Sequence, residues 1–321
     1  MVEKIGLVGA AGAIGQSAGR ALASRGRPFR VIGRSAGGLE AGFREVPGVE
    51  RVTWNPDDPA SVRAAVRGLD TLVYLVGVPY HRFDQHPVVM RQTLEGAIAE
   101  GVQRVVLVGT VYPYGIPRTR PVAEAHPREP STFKGRMRKA QEDLLLEADA
   151  KGKIRGTILR LPDFYGPDVE KSFLHGAFFA AIHGGTANMI GPIDTPHEFV
   201  FVPDVGPVLL DLADRSEAYG RWWHLGGPGT ITQREFATKV FAAAGKTLKI
   251  RVAGKATLRL MGLFSPVMRE LVEMSYLHTT PVVLDDTALQ TLLGPLKKTP
   301  YDEGIRKTLE AMRASPAARA A

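Results

Sequence analysis

Ile5-Gly6-Leu7-Val8 runs directly into Gly9-Ala10-Ala11-Gly12-Ala13-Ile14-Gly15, and this stretch decides the fold. The first four residues predict a buried strand, and the alanine-rich stretch that opens at Ala13 predicts a helix. The glycines between them suit a dinucleotide site: one allows a tight turn, one lets backbone N–H groups approach a pyrophosphate, and one lets the helix pack closely on the strand. A glycine turn without a ligand is the alternative. The predicted cofactor contacts are Gly9, Ala11, Gly12, Ala13, Ile14 and Gly15.

The rest of the first half alternates short β-branched runs with helical stretches. The predicted strands are Lys4–Val8, Phe29–Ile32, Arg51–Trp54, Thr71–Val76, Arg104–Val108 and Arg155–Leu159. The predicted helices are Ala13–Ser24, Pro59–Val66, Pro87–Glu100 and Phe133–Ala150. Strands that are apolar on both faces and alternate with helices are typical of a parallel sheet covered on two sides. We predict an α/β fold with a doubly wound parallel Rossmann-type sheet.

After Pro162 the loops lengthen and the regular alternation ends. We predict a Rossmann nucleotide-binding core over residues 1–160 and a smaller substrate-binding lobe over residues 161–321, with a helical tail and an interface with the core. The predicted elements of this lobe are the helices Lys171–His183, Val205–Asp214 and Thr232–Ala244 and the strands Phe199–Val202 and Trp222–Leu225. An apolar stretch over residues 258–271 is interpreted as core or as the face of a homodimer.

The composition argues against several classes of protein. The 321 residues include no cysteine, which excludes disulfides, thiolate nucleophiles and cysteine-bound metals. No run approaches the roughly 18 apolar residues of a membrane helix, and no histidine spacing resembles a metal site, so neither a membrane nor a metal is expected. The net charge of +8 is scattered without a nucleic-acid motif, and it fits a polyanionic cofactor or an acidic small-molecule substrate rather than nucleic acid. The N-terminus lacks the features of a signal peptide, so we expect a cytoplasmic protein.

The end of the second strand predicts which cofactor binds. An enzyme that uses NAD(H) usually places an acidic residue there, to bind the ribose hydroxyls, but this chain has Arg34. A guanidinium can bind a 2′-phosphate with two hydrogen bonds. We therefore predict that NADP(H) is preferred and NAD(H) is the alternative, unless Arg34 is only a solvated surface residue.

These residues resemble the extended or atypical branch of the short-chain dehydrogenase/reductase superfamily, the NAD-dependent epimerase/dehydratase family. The stretches that carry the resemblance are the glycine loop, Thr110-Val111-Tyr112-Pro113-Tyr114-Gly115, Arg160-Leu161-Pro162-Asp163-Phe164-Tyr165-Gly166-Pro167 and Phe199-Val200-Phe201-Val202-Pro203-Asp204-Val205. The resemblance implies that Asn55 and Pro56 lie on the adenine side of the cofactor and that Val76, Gly77 and Val78 pass its ribose. It implies further cofactor contacts from Thr110, Lys134, Arg138 and Leu161.

The sequence departs from this family where a Tyr-x-x-x-Lys pair should open a helix. Aligning on Glu142 puts Lys134 at the tyrosine position and Arg138 at the lysine position. Aligning on the aromatic residue instead gives Phe133 and Met137, which carry no proton to exchange. In both alignments the phenol is missing, so the reaction does not follow from the resemblance.

Four residues are the candidates for catalysis. Thr110 stands at the family's serine position and could orient a reacting oxygen. Lys134 is a candidate proton donor, because Arg136, Arg138 and a cationic nicotinamide would favour its neutral form; contact with ribose or solvent is the alternative. Tyr112 could be a phenol of the site or a packed aromatic, and Asp163 could face the cleft or cap a turn. The basic, proline-rich loop 115–130 suggests an anionic substrate, with a solvated loop as the alternative.

These expectations lead to one principal function and two rivals. The principal one is an NADP(H)-dependent oxidoreductase that acts on a small carbonyl or carbinol substrate. A non-catalytic NADP(H) sensor or scaffold is the first rival, since the Tyr-x-x-x-Lys pair is missing. A sugar-nucleotide epimerase or dehydratase that retains NAD is the second.

Overall fold

The computed structural model describes residues 3–170, 172–263 and 266–314. Some parts of the predictions lie outside these residues. They are residues 1 and 2 of the predicted core, Lys171 at the start of a predicted helix, Phe264 and Ser265 in the apolar stretch, and the predicted lobe beyond residue 314. No helix in the described ranges is both long and apolar enough to cross a membrane.

A seven-stranded parallel sheet lies at the centre of the fold. Its strands are β1 (Ile5–Val8), β2 (Phe29–Gly33), β3 (Glu50–Thr53), β4 (Thr71–Tyr74), β5 (Arg104–Thr110), β6 (Arg155–Leu161) and β10 (Arg221–His224). They lie in the order β10-β6-β5-β4-β1-β2-β3, and all neighbouring pairs are parallel. The strand order reverses between β1 and β4, so the predicted doubly wound fold is confirmed.

Helices cover both faces of this sheet. One face carries α1 (Ala13–Ser24), α2 (Ala36–Phe43) and α7 (Val202–Ala213), and the other carries α3 (Pro59–Val66), α4 (Gln85–Ala99) and α5 (Phe133–Ala150). Neighbouring residues of one strand enter different cores, so Leu7 packs with α1 whereas Val8 packs with α3. Burial on both sides explains why the strands are apolar without alternation.

A close contact joins α7 to α1. A Cβ at Gly206 in α7 would lie 2.4 Å from the carbonyl oxygen of Ser17 in α1, so only glycine fits there. The Gly206 N–H also donates to Ser17 Oγ at 3.1 Å. The second half of the chain therefore docks directly on the first helix.

Two elements expected in the C-terminal lobe belong to the core instead. The strand predicted over Trp222–Leu225 is β10, which pairs with β6 at the edge of the central sheet. The helix predicted over Val205–Asp214 is α7, which packs on α1. Placing them in the lobe is wrong, because a local pattern identifies a strand but not the sheet it joins. The division at residues 160 and 161 stays a prediction, since the second segment contributes to the core as well.

The lobe is built on two small sheets. One contains β11 (Thr230–Thr232), β9 (Pro196–Phe201) and β7 (Asp163–Tyr165) in that order, and the other pairs β12 (Ile250–Ala253) with β8 (Ala187–Ile190). The helices are α6 (His175–His183), α8 (Gln233–Ala243), α9 (Lys255–Met261), α10 (Pro266–Glu273), α11 (Tyr276–Thr279), α12 (Thr287–Leu293) and α13 (Tyr301–Ala314). Its core combines aliphatic and aromatic side chains, with Phe236 in edge contact with the rings of Tyr165 and Phe199.

Several of these elements do not follow from the sequence patterns. The helix α2 reads Ala-Gly-Gly-Leu-Glu-Ala-Gly-Phe, and its glycines are poor helix formers. Its start carries a signal nonetheless, since Ser35 Oγ accepts a hydrogen bond from the Gly38 N–H at 3.2 Å. The apolar stretch 258–271 is core only in part: Leu258 is 2% exposed, whereas Leu260 and Leu263 are 64% and 69% exposed.

An ion pair inside the core ties α5 to β6. Arg160 Nε donates to Glu142 Oε1 at 3.0 Å, and the two side chains are 0% and 1% exposed. Arg128 donates to the other oxygen of Glu142 at 3.2 Å. The Arg160 guanidinium also lies over the Tyr114 ring, 4.5 Å from its centroid. Glu142 is therefore the carboxylate that neutralises a fully buried arginine.

This arrangement predicts a large stability loss for Glu142→Gln. The substitution leaves the Arg160 charge buried without its partner, which should lower the free energy of unfolding by about 3–5 kcal/mol. Urea unfolding followed by circular dichroism measures it. Asp143→Asn is the matched control: Asp143 binds Arg128 at 2.7 Å but is 40% exposed, so we expect a loss below about 1 kcal/mol. Equal losses for the two variants would contradict the buried-charge argument.

Candidate active site

The predicted site residues follow the carboxyl ends of neighbouring strands. The loop after β1 carries the glycines, Arg34 follows β2, and residues 75–78 follow β4. Thr110 ends β5 and Leu161 ends β6. Ligands of doubly wound sheets bind at this edge, near the point where the strand order reverses. In this fold that point lies between β1 and β4.

Each glycine of the first loop has a different surrounding. Gly9 has φ +85°, and a Cβ there would lie 2.8 Å from the backbone of Leu75. A Cβ at Gly15 would lie 2.3 Å from the carbonyl oxygen of Ala10, because α1 starts right against the strand. At Gly12, by contrast, the nearest atom is the Gly9 carbonyl oxygen at 3.8 Å, and no side chain caps the helix there. The open space and the N–H groups at the start of α1 leave room for a phosphate.

Arg34 is exposed at the carboxyl end of β2. Across residues 3–170, 172–263 and 266–314, no hydrogen bond or ion pair engages its guanidinium. Ser35, the next residue, caps α2. A guanidinium without an internal partner can bind an anion from outside.

The remaining predicted cofactor residues lie along the same edge. Asn55 follows β3 and is exposed, and its Oδ1 accepts a hydrogen bond from the Asp57 N–H at 3.1 Å. Val76, Gly77 and Val78 follow β4, and a Cβ at Gly77 would meet no atom within 4 Å. The Leu161 side chain is 2% exposed and belongs to the core. Pro56 lies beside Asn55 at the end of β3, and Ala11, Ala13 and Ile14 lie in the loop and first turn of α1.

Lys134 lies in the first turn of α5 and is 0% exposed. Its ammonium makes ion pairs with Glu270 and Glu273 of α10, the second at 2.8 Å. Its backbone N–H donates to Glu273 Oε1 at 3.2 Å. The expected crowding by arginines is not found, because Arg136 Nη1 donates to the Ser131 carbonyl oxygen. The charged groups that contact the Lys134 ammonium among the described residues are the carboxylates of Glu270 and Glu273.

Arg138, one turn further along α5, is also buried. Its Nη1 donates to Gln141 Oε1 at 2.7 Å and lies 3.2 Å from His86 Nδ1, and its Nη2 donates to the Val108 carbonyl oxygen at 2.9 Å. Burial, together with the Arg138 charge, lowers the pKa of His86 to about 2. Arg138 thus braces α5 on β5 in the structure, and its predicted cofactor contact stays a prediction.

Thr110 ends β5, Tyr112 follows it, and Asp163 opens β7 two residues after the end of β6. Thr110 Oγ1 accepts from the Tyr112 N–H at 3.4 Å. Burial raises the pKa of Asp163 to about 6. Burial also raises the pKa of Tyr112, and the neighbouring Asp163 adds to the shift.

Two tyrosines complete this cluster, and sequence reasoning missed both. Burial raises the pKa of Tyr80 and of Tyr276, and the carboxylates of Asp163 and Glu273 contribute to both shifts. The ring of Tyr80 lies 4.8 Å from Lys134 Nζ. The sequence could have indicated Tyr80, because it lies in the loop after β4 at the carboxyl edge of the sheet. No local pattern indicates that Tyr276 of α11 lies at this edge.

A cavity of about 530 Å³ opens beside the cluster. Its walls come from the start of α5, from the ends of β8 and β12, and from α9 to α11; the residues are Ser131, Thr132, Gly191, Pro192, Val252, Gly254, Lys255, Val272, Glu273, Ser275, Tyr276 and Thr279. Glu273 and Tyr276 belong both to this wall and to the surroundings of Lys134 and Asp163. A small molecule in the cavity would therefore contact the cluster.

The basic loop 115–130 is held by internal contacts. Arg118 pairs with Glu129, and Arg128 pairs with Glu142 and Asp143. Arg120 Nη2 donates to the carbonyl oxygen of Pro281 at 2.8 Å. These partners hold the loop against the body of the protein, so its charges do not themselves indicate an anionic substrate.

Comparison with known proteins assigns the family. The dTDP-6-deoxy-L-talose 4-dehydrogenase (NAD(P)(+)) of Kitasatospora kifunensis is 28% identical over 229 residues, which cover 66% of this chain and 71% of that protein. The dTDP-glucose 4,6-dehydratase of Streptomyces venezuelae, solved with NAD bound, has a TM-score of 0.82 at 19% identity over 98% of both chains. The UDP-glucuronic acid 4-epimerase of Bacillus cereus, in complex with NAD, has a TM-score of 0.81 at 16% identity over 97% of this chain and 98% of its own.

The structural similarity at this low identity shows the fold. The family follows from a model of the NAD dependent epimerase/dehydratase family, which matches residues 5–226. That match covers both the glycine loop and the end of β10. The chain belongs to the NAD-dependent epimerase/dehydratase family, as its sequence motifs predict.

Proposed function

We propose that the chain is an NADP(H)-dependent oxidoreductase that acts on a small carbonyl or carbinol compound. The observation that carries the proposal is the exposed Arg34 at the end of β2, whose guanidinium has no partner among the residues that the structure describes. An arginine at this end of β2 attracts a 2′-phosphate, whereas a carboxylate there would repel it. The N-terminus of α1 supplies the second anion-binding feature, for the pyrophosphate.

The proposed reaction centre contains Thr110, Tyr112, Lys134 and Asp163. Bound NADP(H) would supply or take up a hydride. Thr110 would orient the reacting oxygen through its hydroxyl, and the hydroxyl of Tyr112 would be a second hydrogen-bond donor to that oxygen. Lys134 would provide the fixed positive charge of the centre, which its two glutamate partners stabilise. Asp163 would provide a carboxyl group that changes its charge near neutral pH.

A second candidate function is a sugar-nucleotide epimerase or dehydratase that retains NAD. It is supported by the compared proteins, since the two solved structures contain NAD and their names specify nucleotide sugars. The relative from Kitasatospora is named for both NAD and NADP, which is compatible with either candidate. A sensor without turnover, a cytoplasmic location and a homodimer stay predictions from the sequence.

Arg34→Ala tests the cofactor preference. Removing charge-assisted hydrogen bonds to the 2′-phosphate should weaken NADPH binding roughly ten- to a hundredfold and leave NADH binding nearly unchanged, since NADH lacks this phosphate. Fluorescence titration of both cofactors against wild type and variant measures the effect. An equal loss for both cofactors, or tighter NADH binding by the wild type, overturns the preference.

A matched pair of glycine variants tests the pyrophosphate site. Gly12→Val should abolish binding of both cofactors but keep the melting temperature, because the structure has free space at that Cβ. Gly15→Val should lower the melting temperature, because its side chain would enter the backbone of Ala10. Thermal unfolding and cofactor titration separate the two effects. Unchanged affinity in Gly12→Val would mean that the loop is only a turn.

Asp163→Asn tests the partly buried carboxyl group of Asp163. Its pKa is about 6 in the folded chain and near 3.8 when unfolded, so the native state binds this proton more tightly. Stability contributed by the proton is present below pH 3.8 and is lost as the pH rises to about 6. The melting temperature of the variant should therefore rise relative to the wild type between pH 4 and 7. A difference that does not depend on pH contradicts the raised pKa.

A further inference from the structure

Among the described residues, two carboxylates and two aromatic rings surround the Lys134 ammonium. Glu270 and Glu273 hold its ammonium, and the rings of Tyr80 and Phe83 lie 4.8 Å and 5.7 Å from Nζ. None of the lysine side chain is exposed. A molecule in the cavity therefore reaches Lys134 only through one of these groups.

Glu273 is the group that lies between Lys134 and the cavity. It lines the cavity, and its side chain is 25% exposed. One of its oxygens accepts from the Lys134 ammonium at 2.8 Å, and the other accepts from the Lys134 backbone N–H at 3.2 Å. Both carboxylate oxygens of Glu273 thus accept hydrogen bonds from Lys134, and the side chain is still partly exposed at the cavity.

Glu270, one turn earlier on α10, differs in one respect. It also pairs with the Lys134 ammonium, and its side chain is 29% exposed. It does not belong to the residues that line the cavity among those the structure describes. The two glutamates share helix, charge and partner, so they separate the effect of facing the cavity from the effect of neutralising Lys134.

We propose that Glu273 is the catalytic residue that exchanges a proton with the substrate, and that Lys134 is the positioning residue that holds its carboxylate. The assignment rests on the proposed oxidoreductase function and changes the role of Lys134 within it. The position where a phenol was expected is occupied by an ion pair whose outer member, the carboxylate, does the chemistry.

The proton balance is simple in both directions. In the oxidation of a carbinol, the O–H bond would break and its proton would form a bond to Glu273 Oε; the C–H bond would break as the C=O bond forms, and its hydride would pass to a bound NADP⁺. The proton then leaves Glu273 for water in the cavity, and Lys134 keeps its charge throughout. In the reduction, protonated Glu273 would give its proton to the carbonyl oxygen, and the carbon would receive a hydride that a bound NADPH supplies.

Lysine labelling tests the enclosure without a substrate. Formaldehyde and borohydride dimethylate accessible lysines, and peptide mass spectrometry measures each site. Lys134 should stay protected in the wild type, while Lys255, an exposed lysine of the same cavity wall, reacts. Glu273→Ala should expose Lys134 to the reagent. Labelling of Lys134 in the wild type as fast as Lys255, or continued protection of Lys134 in Glu273→Ala, overturns the proposal.

Turnover measurements with NADPH and a panel of aldehydes and ketones test the chemistry. Glu273→Gln should lower kcat roughly 10²- to 10⁴-fold, the usual range for loss of a proton-transfer group, with NADPH affinity nearly kept. Glu270→Gln, which keeps the carboxylate that lines the cavity, should lower kcat much less than Glu273→Gln does. Lys134→Met added to Glu273→Gln should cause little further loss, because the two act as one unit.

Two outcomes contradict the proposal in different ways. If Glu273→Gln keeps near-normal turnover while Lys134→Met loses it, Lys134 itself exchanges the proton and the oxidoreductase function stands. If the wild type binds NADPH but consumes it with none of the compounds, the proposed function fails and the assignment of Glu273 fails with it.

Discussion

The contact between Gly15 and Ala10 fixes the position of α1 on the sheet, and the placement of α7 and of the lobe depends on α1. Since there is no room for a Cβ between them, α1 begins directly at the edge of β1, with its N-terminus over the point where the strand order reverses. Gly206 then lets α7 lie on α1 in the same intimate way. Because α7 starts where β9 ends, the sheet of the lobe is joined to the first helix through one rigid element. The location of the lobe over the site follows from these two glycine contacts.

Local signals predicted the parts of the fold that local forces determine. The bounds of α3 and α5 follow from the sequence, since Asp58 and Pro59 mark the start of α3 and Thr132 caps α5. The start of α1 follows from the glycine loop, because its cap is Gly12 and no side chain caps it. The helix α2 was missed because its glycines conceal the capping serine. The sequence predicts the strand β10 but assigns it to the lobe instead of the core. Its partner β6 lies about sixty residues earlier in the chain, and a local sequence pattern does not show such a distant pairing.

The site divides in the same way. The glycine loop and Arg34 are local features, so the sequence predicts them without knowledge of distant partners. The surroundings of Lys134 are the opposite case, since its two carboxylates are 136 and 139 residues away along the chain. The motif alignment identifies Lys134 as a residue of the cluster but predicts arginines around its ammonium, whereas the structure has Glu270 and Glu273 there. The family's phenol is replaced by a charged cluster with its own geometry, and that geometry is invisible in any alignment of motifs.

The strand β10 comes from the second half of the chain but belongs to the central sheet, which limits how the protein can be divided into fragments. In the folded chain β6 is an interior strand, paired on one side with β5 and on the other with β10. A fragment that stops near residue 160 would turn β6 into an open edge and would also lack the cover that α7 gives to α1. Such a fragment would expose backbone hydrogen-bonding groups and apolar surface together, a combination that promotes aggregation. The nucleotide-binding half is therefore not a portable module, and exchanging lobes between relatives requires carrying α7 and β10 along with the core.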